Sequence, residues 1–375
     1  MPDGEIIVIG GGYGGIRLAR QLDEVARVTL VDRKEVFFHR IAALRAGVHE
    51  AWTTTPFIPY DRLLRNGRVV TGKAVGIDTA ERQVTLATGE RLPYDVVVIA
   101  TGADYPEPAR FLGTTTEEAG KTFAAHQENV AAAEHVLVVG GGPGGVELAA
   151  EVRLARPDAR VTLAHAGSEL LSSTGSKWAG RRALAWLEAH DVEVRLDSFV
   201  SPGPDFGTYR DGRGGLIEAD LSFWANGTTP NTLWLRLAGH GDWLNPAGHV
   251  KVDGTLRVGG HLDVFAVGDV NDVSELKLSP VAFAQADVAA HNIRAHLASS
   301  GRHRKEPRSY RPIRRTPLIV PLGPADGITL VPVPGGETAV LGGRTSTLAK
   351  AKTLMTPYIR NYPLTHSTPA EPLPV

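Results

Sequence analysis

The sequence predicts an α/β fold of two parallel-sheet domains, the second inserted into the first, with a small C-terminal region. Three observations carry this. A strand, a glycine-rich turn, a helix and a second strand occur twice in the same order, with Gly10 and Gly140 marking turns 130 residues apart. A later strand ending in glycine closes each copy, and one more buried run near residue 265 follows the second copy. The chain of 375 residues is long enough for two or three domains.

The elements follow in order. Ile6-Ile7-Val8-Ile9 and Val136-Leu137-Val138-Val139 are short β-branched runs that end in three glycines, as buried parallel strands do. Each continues into a helix, where Ile16, Leu18 and Ala19 correspond to Val146, Leu148 and Ala149. The next strands are Val28 to Asp32 and Val161 to His165. Strand-like runs at Arg68 to Ile77 and Gln83 to Leu86, punctuated by Gly89 and Pro93, have a counterpart group in residues 192 to 224, and such strands make a crossover layer on the main sheet. Asp95 to Gly102 then corresponds to Ala219 to Gly227. Between the copies, Asp104-Tyr105-Pro106-Glu107-Pro108 reads as a linker, because two prolines in three positions continue neither a helix nor a central strand. A helix is expected from Thr122 to Ala133, and Leu262 to Asp269 is expected to return to the first sheet. Beyond Arg311 come strands at Leu318 to Val320 and Ile328 to Val331 and a helix from Thr345 to Thr356, with Leu348, Ala351 and Met355 at helical spacing and Lys350 and Lys352 beside them. That helix is expected to dock on the body of the protein, with the surface of an anionic membrane as the other reading.

The glycines state the chemistry. Gly10, Gly12 and Gly15, and again Gly140, Gly142 and Gly145, fit G-x-G-x-x-G between a strand and a helix. The first glycine permits the tight turn, the second lets a pyrophosphate approach the backbone, and the third lets the helix pack closely on the strand. Amides at the helix N-terminus then hold the anion. One such match is a weak signal; two in the same context predict two dinucleotide sites on two Rossmann-like, three-layer ββα domains. Asp32 ends the second strand of the first copy, where a carboxylate accepts both hydroxyls of an adenosine ribose. His165 holds that place in the second copy. An imidazole cannot accept two hydroxyls side by side and tolerates a 2′-phosphate better than a carboxylate does, so the second site is expected to take NADPH as well as NADH. The other reading of His165 is a strand-end residue with no ligand contact.

Composition narrows the chemistry further. With 40 Lys and Arg against 41 Asp and Glu, the formal charge is −1, which leaves no electrostatic footprint for nucleic acid. Cysteine is absent, which excludes disulfides, thiolate metal sites, iron–sulfur clusters and any relay of electrons through a protein dithiol. No metal site is expected. No run is long and apolar enough to span a bilayer, and Met1-Pro2-Asp3-Gly4-Glu5 has neither a signal peptide's basic segment nor a myristoylation glycine, so a cytoplasmic protein is expected, with peripheral membrane contact left open.

Ala100-Thr101-Gly102, Ala225-Asn226-Gly227 and Val267-Gly268-Asp269, together with the two glycine fingerprints, resemble the two-dinucleotide-binding flavoprotein superfamily of pyridine nucleotide-dependent reductases. Within it the chain is similar to the ferroptosis-suppressor branch of the apoptosis-inducing-factor-like proteins and, more distantly, to type II NADH:quinone oxidoreductases. The stretches that carry this branch resemblance are Leu30 to Lys34, Phe38 to Ala46, Gly140 to Glu151 and Lys277 to Ile293. The resemblance implies FAD on the first fingerprint, with Asp32 on its adenosine ribose and Arg33, Lys34 and Val75 also among the FAD-binding residues. It implies Thr101 and Gly102 near the pyrophosphate or flavin, and Gly268 and Asp269 on the ribityl chain. A short carboxylate after glycine suits a polyol hydroxyl, although Asp269 also reads as a turn residue or helix cap. Gly140, Gly142, Gly145, Glu147, His165 and Gly227 would serve NAD(P)H. Glu147, one turn into its helix, reads either as a helix-start charge or, by resemblance, as a catalytic residue beside flavin and nicotinamide that orients hydride donation. Ser279 is expected to N-cap a helix whose first residue is Pro280, pointing its N-terminus at the flavin. Lys277 is counted with Glu147 as catalytic. Phe283 and Gln285 would lie near the route of the second substrate, although Phe283 by itself reads first as ordinary core.

The domains are read as 1–108 with 255–310 for FAD, 109–254 for NAD(P)H and 311–375 as the C-terminal α+β region. Without cysteines, electrons must pass from flavin directly to an outside acceptor. The resemblance favours a quinone, with a slow-turnover NADH-sensing protein, or a reductase for a ferredoxin or a small biosynthetic substrate, as the alternatives. A monomer and a homodimer both remain open.

Overall fold

The repeat in the sequence becomes a repeat in space. The computed structural model describes residues 4–298, 306–333 and 338–361, apart from residue 213. β1 (Glu5–Ile9), β2 (Arg27–Asp32), β3 (Arg68–Thr71) and β4 (Val96–Ile99) form a parallel sheet in the order β4-β1-β2-β3. β5 (His135–Val139), β6 (Arg160–Ala164), β7 (Val192–Arg195) and β8 (Leu221–Trp224) form a second one in the order β8-β5-β6-β7. Ile6 sits between Val28 and Val96, as Val136 sits between Val161 and Leu221. β9 (Val264–Ala266) rejoins the first sheet beside β4, which makes the second sheet an insertion in the first.

Strand alternation sorts the side chains into layers. Ile6 and Val8 face a core shared with the helices, whereas Ile7 and Ile9 face one shared with an antiparallel layer of Ala74–Asp78, Gln83–Leu86 and Arg91–Pro93. In the second half Val136 and Val138 face helices, and Leu137 and Val139 face the layer of Val200–Pro202, Thr208–Asp211 and Leu216–Glu218. Both halves are therefore three-layer ββα units of one design. Burying an aliphatic side chain fully contributes about 1.5–3 kcal/mol, so strands buried on both faces hold each sheet together.

The longer helices of the two halves are α1 (Tyr13–Leu22), α2 (Arg40–Ala46), α3 (Thr116–Ala132), α4 (Pro143–Ala155), α5 (Lys177–Ala189) and α6 (Ser279–Leu297). α1 packs on α6, where Arg17 pairs with Asp287 at 2.7 Å. α3 starts six residues before the expected helix, because Thr115 and Glu118 form a reciprocal capping box. The expected linker at 104–108 is a strand where it begins: Ala103–Asp104 pairs antiparallel with Thr229–Pro230 and ties the halves together.

In the C-terminal region, β10 (Leu318–Pro321), β11 (Gly327–Pro332) and β12 (Thr338–Leu341) form an antiparallel meander. Leu318, Val320, Leu322, Ile328 and Leu330 complete the core of the second half. The single helix expected over 345–356 is broken into α7 (Gly343–Ser346), a π-helical turn over Thr347–Ala351, and α8 (Thr356–Asn361). Leu354 and Met355 have φ of 49° and 60°, in the left-handed region, and this ends the helical run. Ala351 is buried as docking requires, but Leu348 is 88 % exposed. No helix among the described residues is long and apolar enough to cross a membrane.

Candidate functional site

The six fingerprint glycines divide by role in the same way in both halves. A Cβ on Gly10 would meet the Ala100 carbonyl oxygen at 2.3 Å, and one on Gly15 would meet the Gly10 oxygen at 1.9 Å. Their counterparts Gly140 and Gly145 would meet Ala225 oxygen at 2.6 Å and Gly140 oxygen at 1.8 Å. These four serve close packing. Gly12 and Gly142 meet nothing within 4 Å, so each turn opens on free space beside a helix N-terminus. Gly102 and Gly227 have φ of 65° and 77° and also border open space. Each half thus presents an open, amide-lined cradle of the kind a pyrophosphate fills.

The two cradles lie on touching segments. The Thr101 hydroxyl donates to Asn231 O at 2.9 Å, the Asn231 side-chain amide donates to Thr101 O at 3.1 Å, and the Asn231 backbone amide donates to Gly102 O at 3.0 Å.

Asp32 and His165 stand in equivalent places. The Gly11 amide donates to Asp32 Oδ2 at 2.5 Å, and the Gly141 amide donates to His165 Nδ1 at 3.1 Å. With Nδ1 accepting, the His165 proton sits on Nε2, which is buried and has no hydrogen-bond partner among the described residues. Asp32, 4 % exposed, also accepts from the Lys34 amide at 2.8 Å and the Lys34 ammonium at 2.7 Å, and the Tyr60 hydroxyl lies 3.4 Å away. Burial beside Asp32 pushes the Tyr60 hydroxyl well above its ordinary pKa. Arg33 does not join this group: its guanidinium donates to Phe111 O at 2.9 Å and Gly113 O at 2.7 Å and clamps the connection between the halves. Val75 lies on the antiparallel layer with 36 % exposure.

Gly268 and Asp269 form a tight turn after β9. Asp269 Oδ2 accepts from the Tyr105 hydroxyl at 2.7 Å and lies 3.8 Å from the Arg40 guanidinium, which stacks on the Tyr105 ring at 4.0 Å. The expected N-cap of α6 is corrected: Ser279 is its first helical residue, Leu278 holds the cap position, and no side chain caps the end, because Pro280 at the start needs no partner for an amide it lacks. Lys277 donates to Asn271 O at 2.8 Å and Val273 O at 3.3 Å, and burial lowers its pKa against the pull of Asp269, Glu275 and Asp272. Gln285 does not line a substrate route. It is 1 % exposed, accepts from the Gly268 amide at 2.7 Å and donates to Glu275 at 2.6 Å, so it buttresses the turn that carries Asp269. Phe283 packs against the core of the first half, under the Arg17 guanidinium.

Glu147 is buried on α4, and its carboxylate meets the Lys350 ammonium at 3.0 Å. Lys350 also donates to Ile319 O at 2.9 Å, so this lysine of the segment expected to dock on the body of the protein is a nearly buried partner of the site. Burial raises the Glu147 pKa and Lys350 pulls it only part of the way back. One turn on, Glu151 accepts from Arg45 on α2 at 2.7 Å and lies 3.3 Å from His49. Burial would push the Glu151 carboxyl up, but the hydrogen bonds from His49 and Arg45, with their charge, hold it below the usual range. Arg45 lies over the Trp52 ring at 4.8 Å. Two carboxyl groups one turn apart are thus driven in opposite directions, Glu147 toward protonation and Glu151 toward the charged form. Sequence reasoning missed Arg45, Tyr60 and the role of Lys350, whose partners are remote in the chain.

The sequence pattern of the pyridine nucleotide-disulphide oxidoreductase family matches residues 4–286. Apoptosis-inducing factor homolog B of Dictyostelium discoideum is 30 % identical over 373 residues, covering 93 % of this chain and 94 % of that protein. Ferroptosis suppressor protein 1 of Homo sapiens is 31 % identical over 77 % of this chain and 79 % of its own. Among solved structures, the sulfide:quinone oxidoreductase of Aquifex aeolicus superposes with a TM-score of 0.76 at 22 % identity, covering 95 % of this chain and 91 % of that one, and so shares the fold.

Proposed function

The chain belongs to the pyridine nucleotide-disulphide oxidoreductase family, and from that premise we propose that it passes reducing equivalents from NAD(P)H through FAD to a quinone-like acceptor. The coarser statement stands on the family itself: this is an FAD-dependent oxidoreductase that uses NAD(P)H. The observation that carries the finer one is the absence of cysteine among all 375 residues. A family named for disulphide chemistry is represented here by a chain with no sulfur pair to reduce, so the electrons go straight to an outside molecule. The quinone of the Aquifex enzyme belongs to that protein, and the acceptor of this chain is our reading.

FAD, when bound, supplies two-electron redox chemistry between a hydride donor and the acceptor. The residues have these roles in our reading. Gly10, Gly12 and Gly15 cradle the FAD pyrophosphate, and Asp32, steadied by Lys34, takes its ribose; Val75 borders the adenine end. Thr101, Gly102, Gly268, Asp269 and Ser279 line the flavin end, and Lys277 fixes the loop between them by its bonds to Asn271 and Val273. Gly140, Gly142, Gly145 and Gly227 cradle NAD(P)H, and His165, at the place Asp32 holds in the first half, faces its ribose or 2′-phosphate once the cofactor is bound. Glu147 orients the nicotinamide with Lys350 behind it. Arg33 acts only by clamping the connection. The FAD unit is 1–108 with 255–310, the NAD(P)H unit is 109–254 and the C-terminal region is 311–375, whose described residues meet the second half through Lys350 and the first half through Leu354 and Ile359.

The test is a purified sample whose visible spectrum is recorded and which is then titrated anaerobically with NADH and with NADPH before quinones, oxygen and ferredoxin are offered in turn. Rapid reoxidation by quinone analogues is expected. A long-lived charge-transfer absorbance with a change in oligomer size would instead indicate an NADH-sensing protein, and reoxidation by ferredoxin alone would name a different acceptor.

A further inference from the structure

The carboxyl ends of three neighbouring strands meet at the first cradle. β4 lies between β1 and β9, the Ala100 amide donates to Ile9 O at 2.8 Å, and the Val267 amide donates to Ile99 O at 3.0 Å. Thr101 and Gly102 therefore leave the sheet beside Gly268 and Asp269, in the crevice where open α/β sheets take their ligands. A Cβ on Gly14, inside the first fingerprint, would stand 3.5 Å from the Val267 side chain, so the turn that carries Asp269 lies against the start of α1. Arg40, which opens α2, and Tyr105, which follows the Gly102 segment, close on that turn. The Tyr105 hydroxyl donates to Asp269 Oδ2 at 2.7 Å, and burial, reinforced by the charge of Asp269, pushes it above its ordinary pKa, so the phenol keeps its proton. Asp269 Oδ1 has no hydrogen-bond partner among the described residues. The Arg40 guanidinium lies over the Tyr105 ring at 4.0 Å, donates through Nη2 to Ala103 O at 3.3 Å and comes within 3.8 Å of Asp269 Oδ2 through Nη1. Its Nε is buried and has no hydrogen-bond partner among the described residues. Carboxylate and guanidinium are thus each anchored on one side and free on the other.

We propose that Arg40 and Tyr105 preset Asp269 as a subsite for the ribityl hydroxyls of FAD, with Tyr105 as the positioning residue that turns the carboxylate and Arg40 as a second binding group beside it. The inference rests on the reading that FAD fills the first cradle. The donor set itself selects a polyol over a phosphate. A phosphate would gain from the guanidinium but meet the Asp269 carboxylate next to it, and the two side chains together carry no net charge. A hydroxyl both donates and accepts, so a run of hydroxyls satisfies the free Asp269 Oδ1 as donor and the free Arg40 Nε as acceptor. A buried N–H without an acceptor is costly, and a ligand oxygen removes that cost. Because Tyr105 already commits Oδ2, the carboxylate does not have to be ordered when the ligand arrives, and less freedom is lost on binding. The Arg40 plane over the phenol ring keeps the Tyr105 hydroxyl on Asp269, so the two residues act as one clamp.

The experiment uses the full chain depleted of FAD, unmodified and as Tyr105→Phe and Arg40→Gln. Each protein is titrated with FAD and with three FAD analogues that lack the ribityl 2′-, 3′- or 4′-hydroxyl, and the change in flavin fluorescence reports binding without turnover. If the unmodified protein fails to bind FAD, it is the proposed function that falls. Where FAD binds, at least one deoxy analogue is expected to bind the unmodified protein about tenfold more weakly than FAD, as loss of a hydrogen bond to a charged group does. That ratio is expected to shrink to about threefold or less in each variant, because residue and hydroxyl act through the same contact. Three analogues that bind the unmodified protein as tightly as FAD overturn the proposal and leave the FAD reading standing. A full ratio kept in either variant overturns it too. So does an equal loss of FAD and of all three analogues in both variants with a lowered melting temperature, which would make the clamp a structural tie between α2 and the turn after β9.

Discussion

Glu147 and His165 occupy positions that one half of the repeat defines by comparison with the other, and each yields a test that the fold alone would not. Glu147 replaces the position that Arg17 holds in the first copy, where the side chain is tied up with Asp287. On α4 the same position carries a carboxylate held by Lys350 and pushed toward protonation by burial. Glu147→Gln should therefore slow flavin reduction by NAD(P)H in stopped flow while FAD content stays constant, and unchanged rates would remove Glu147 from the site. At His165 the imidazole presents a donor where Asp32 presents acceptors. His165→Asp should cut kcat/KM for NADPH by about tenfold or more and leave NADH within a few-fold, because a carboxylate repels a 2′-phosphate. Equal losses with both cofactors would mean that His165 only shapes the turn. Glu147 and His165 were legible because spacing from a glycine turn locates them. Lys350 was not, since it reaches Glu147 from 203 positions away. Arg33 shows the converse: its place next to Asp32 suggested a cofactor contact, but a long side chain at a strand end can turn either way, and two carbonyls of the connection claimed it.

Among the elements, the glycine turns give the sharpest contrast, because two glycines of one motif fail for different reasons. At Gly15 a Cβ would lie 1.9 Å from a backbone oxygen that cannot move without the strand. Gly15→Ala should destabilise the first half by about 3 kcal/mol, as overpacking against rigid neighbours does. At Gly12 nothing stands within 4 Å, so Gly12→Ala should fold with nearly normal melting in the absence of cofactor and lose FAD affinity. Melting curves with and without added FAD separate the two, and a Gly12→Ala protein that binds FAD normally would place the pyrophosphate elsewhere. The same element scale explains where prediction of helices failed. α3 began early because a Thr-x-x-Glu signature was overlooked, a purely local signal that was available. The C-terminal break was not available: its apolar spacing suits a helix, and only the packing of Lys350 and Leu354 onto α4 and His39 explains left-handed residues at 354 and 355.

At the scale of the whole molecule, an inserted domain is held to its host by few strands, so the contacts between the halves must be strong where they occur. Arg45 and Glu151 meet across that junction with both side chains about 2–3 % exposed, and His49 and the Lys352 carbonyl complete the set. A buried pair of this kind adds little net stability over an apolar one, but removing one partner strands the other charge and costs about 3–5 kcal/mol. Arg45→Ala should therefore destabilise the protein by roughly that amount, with proteolysis concentrated in the connection near residue 108. The pH dependence follows from the sign of the shift at Glu151. Its pKa is lower in the folded protein than the unfolded value of about 4.3, so the stability it contributes is fully present above that value and is lost as pH falls through the folded one. Glu147 runs the other way: its raised pKa withdraws stability as pH rises above the unfolded value. Glu151→Gln should consequently lower the melting temperature at pH 7 and converge on the unmodified protein as pH drops below about 4. Curves that stay parallel down to pH 3 would show that the Glu151 carboxylate does not carry the acid lability of the junction, and that the halves are held by their packed segments alone.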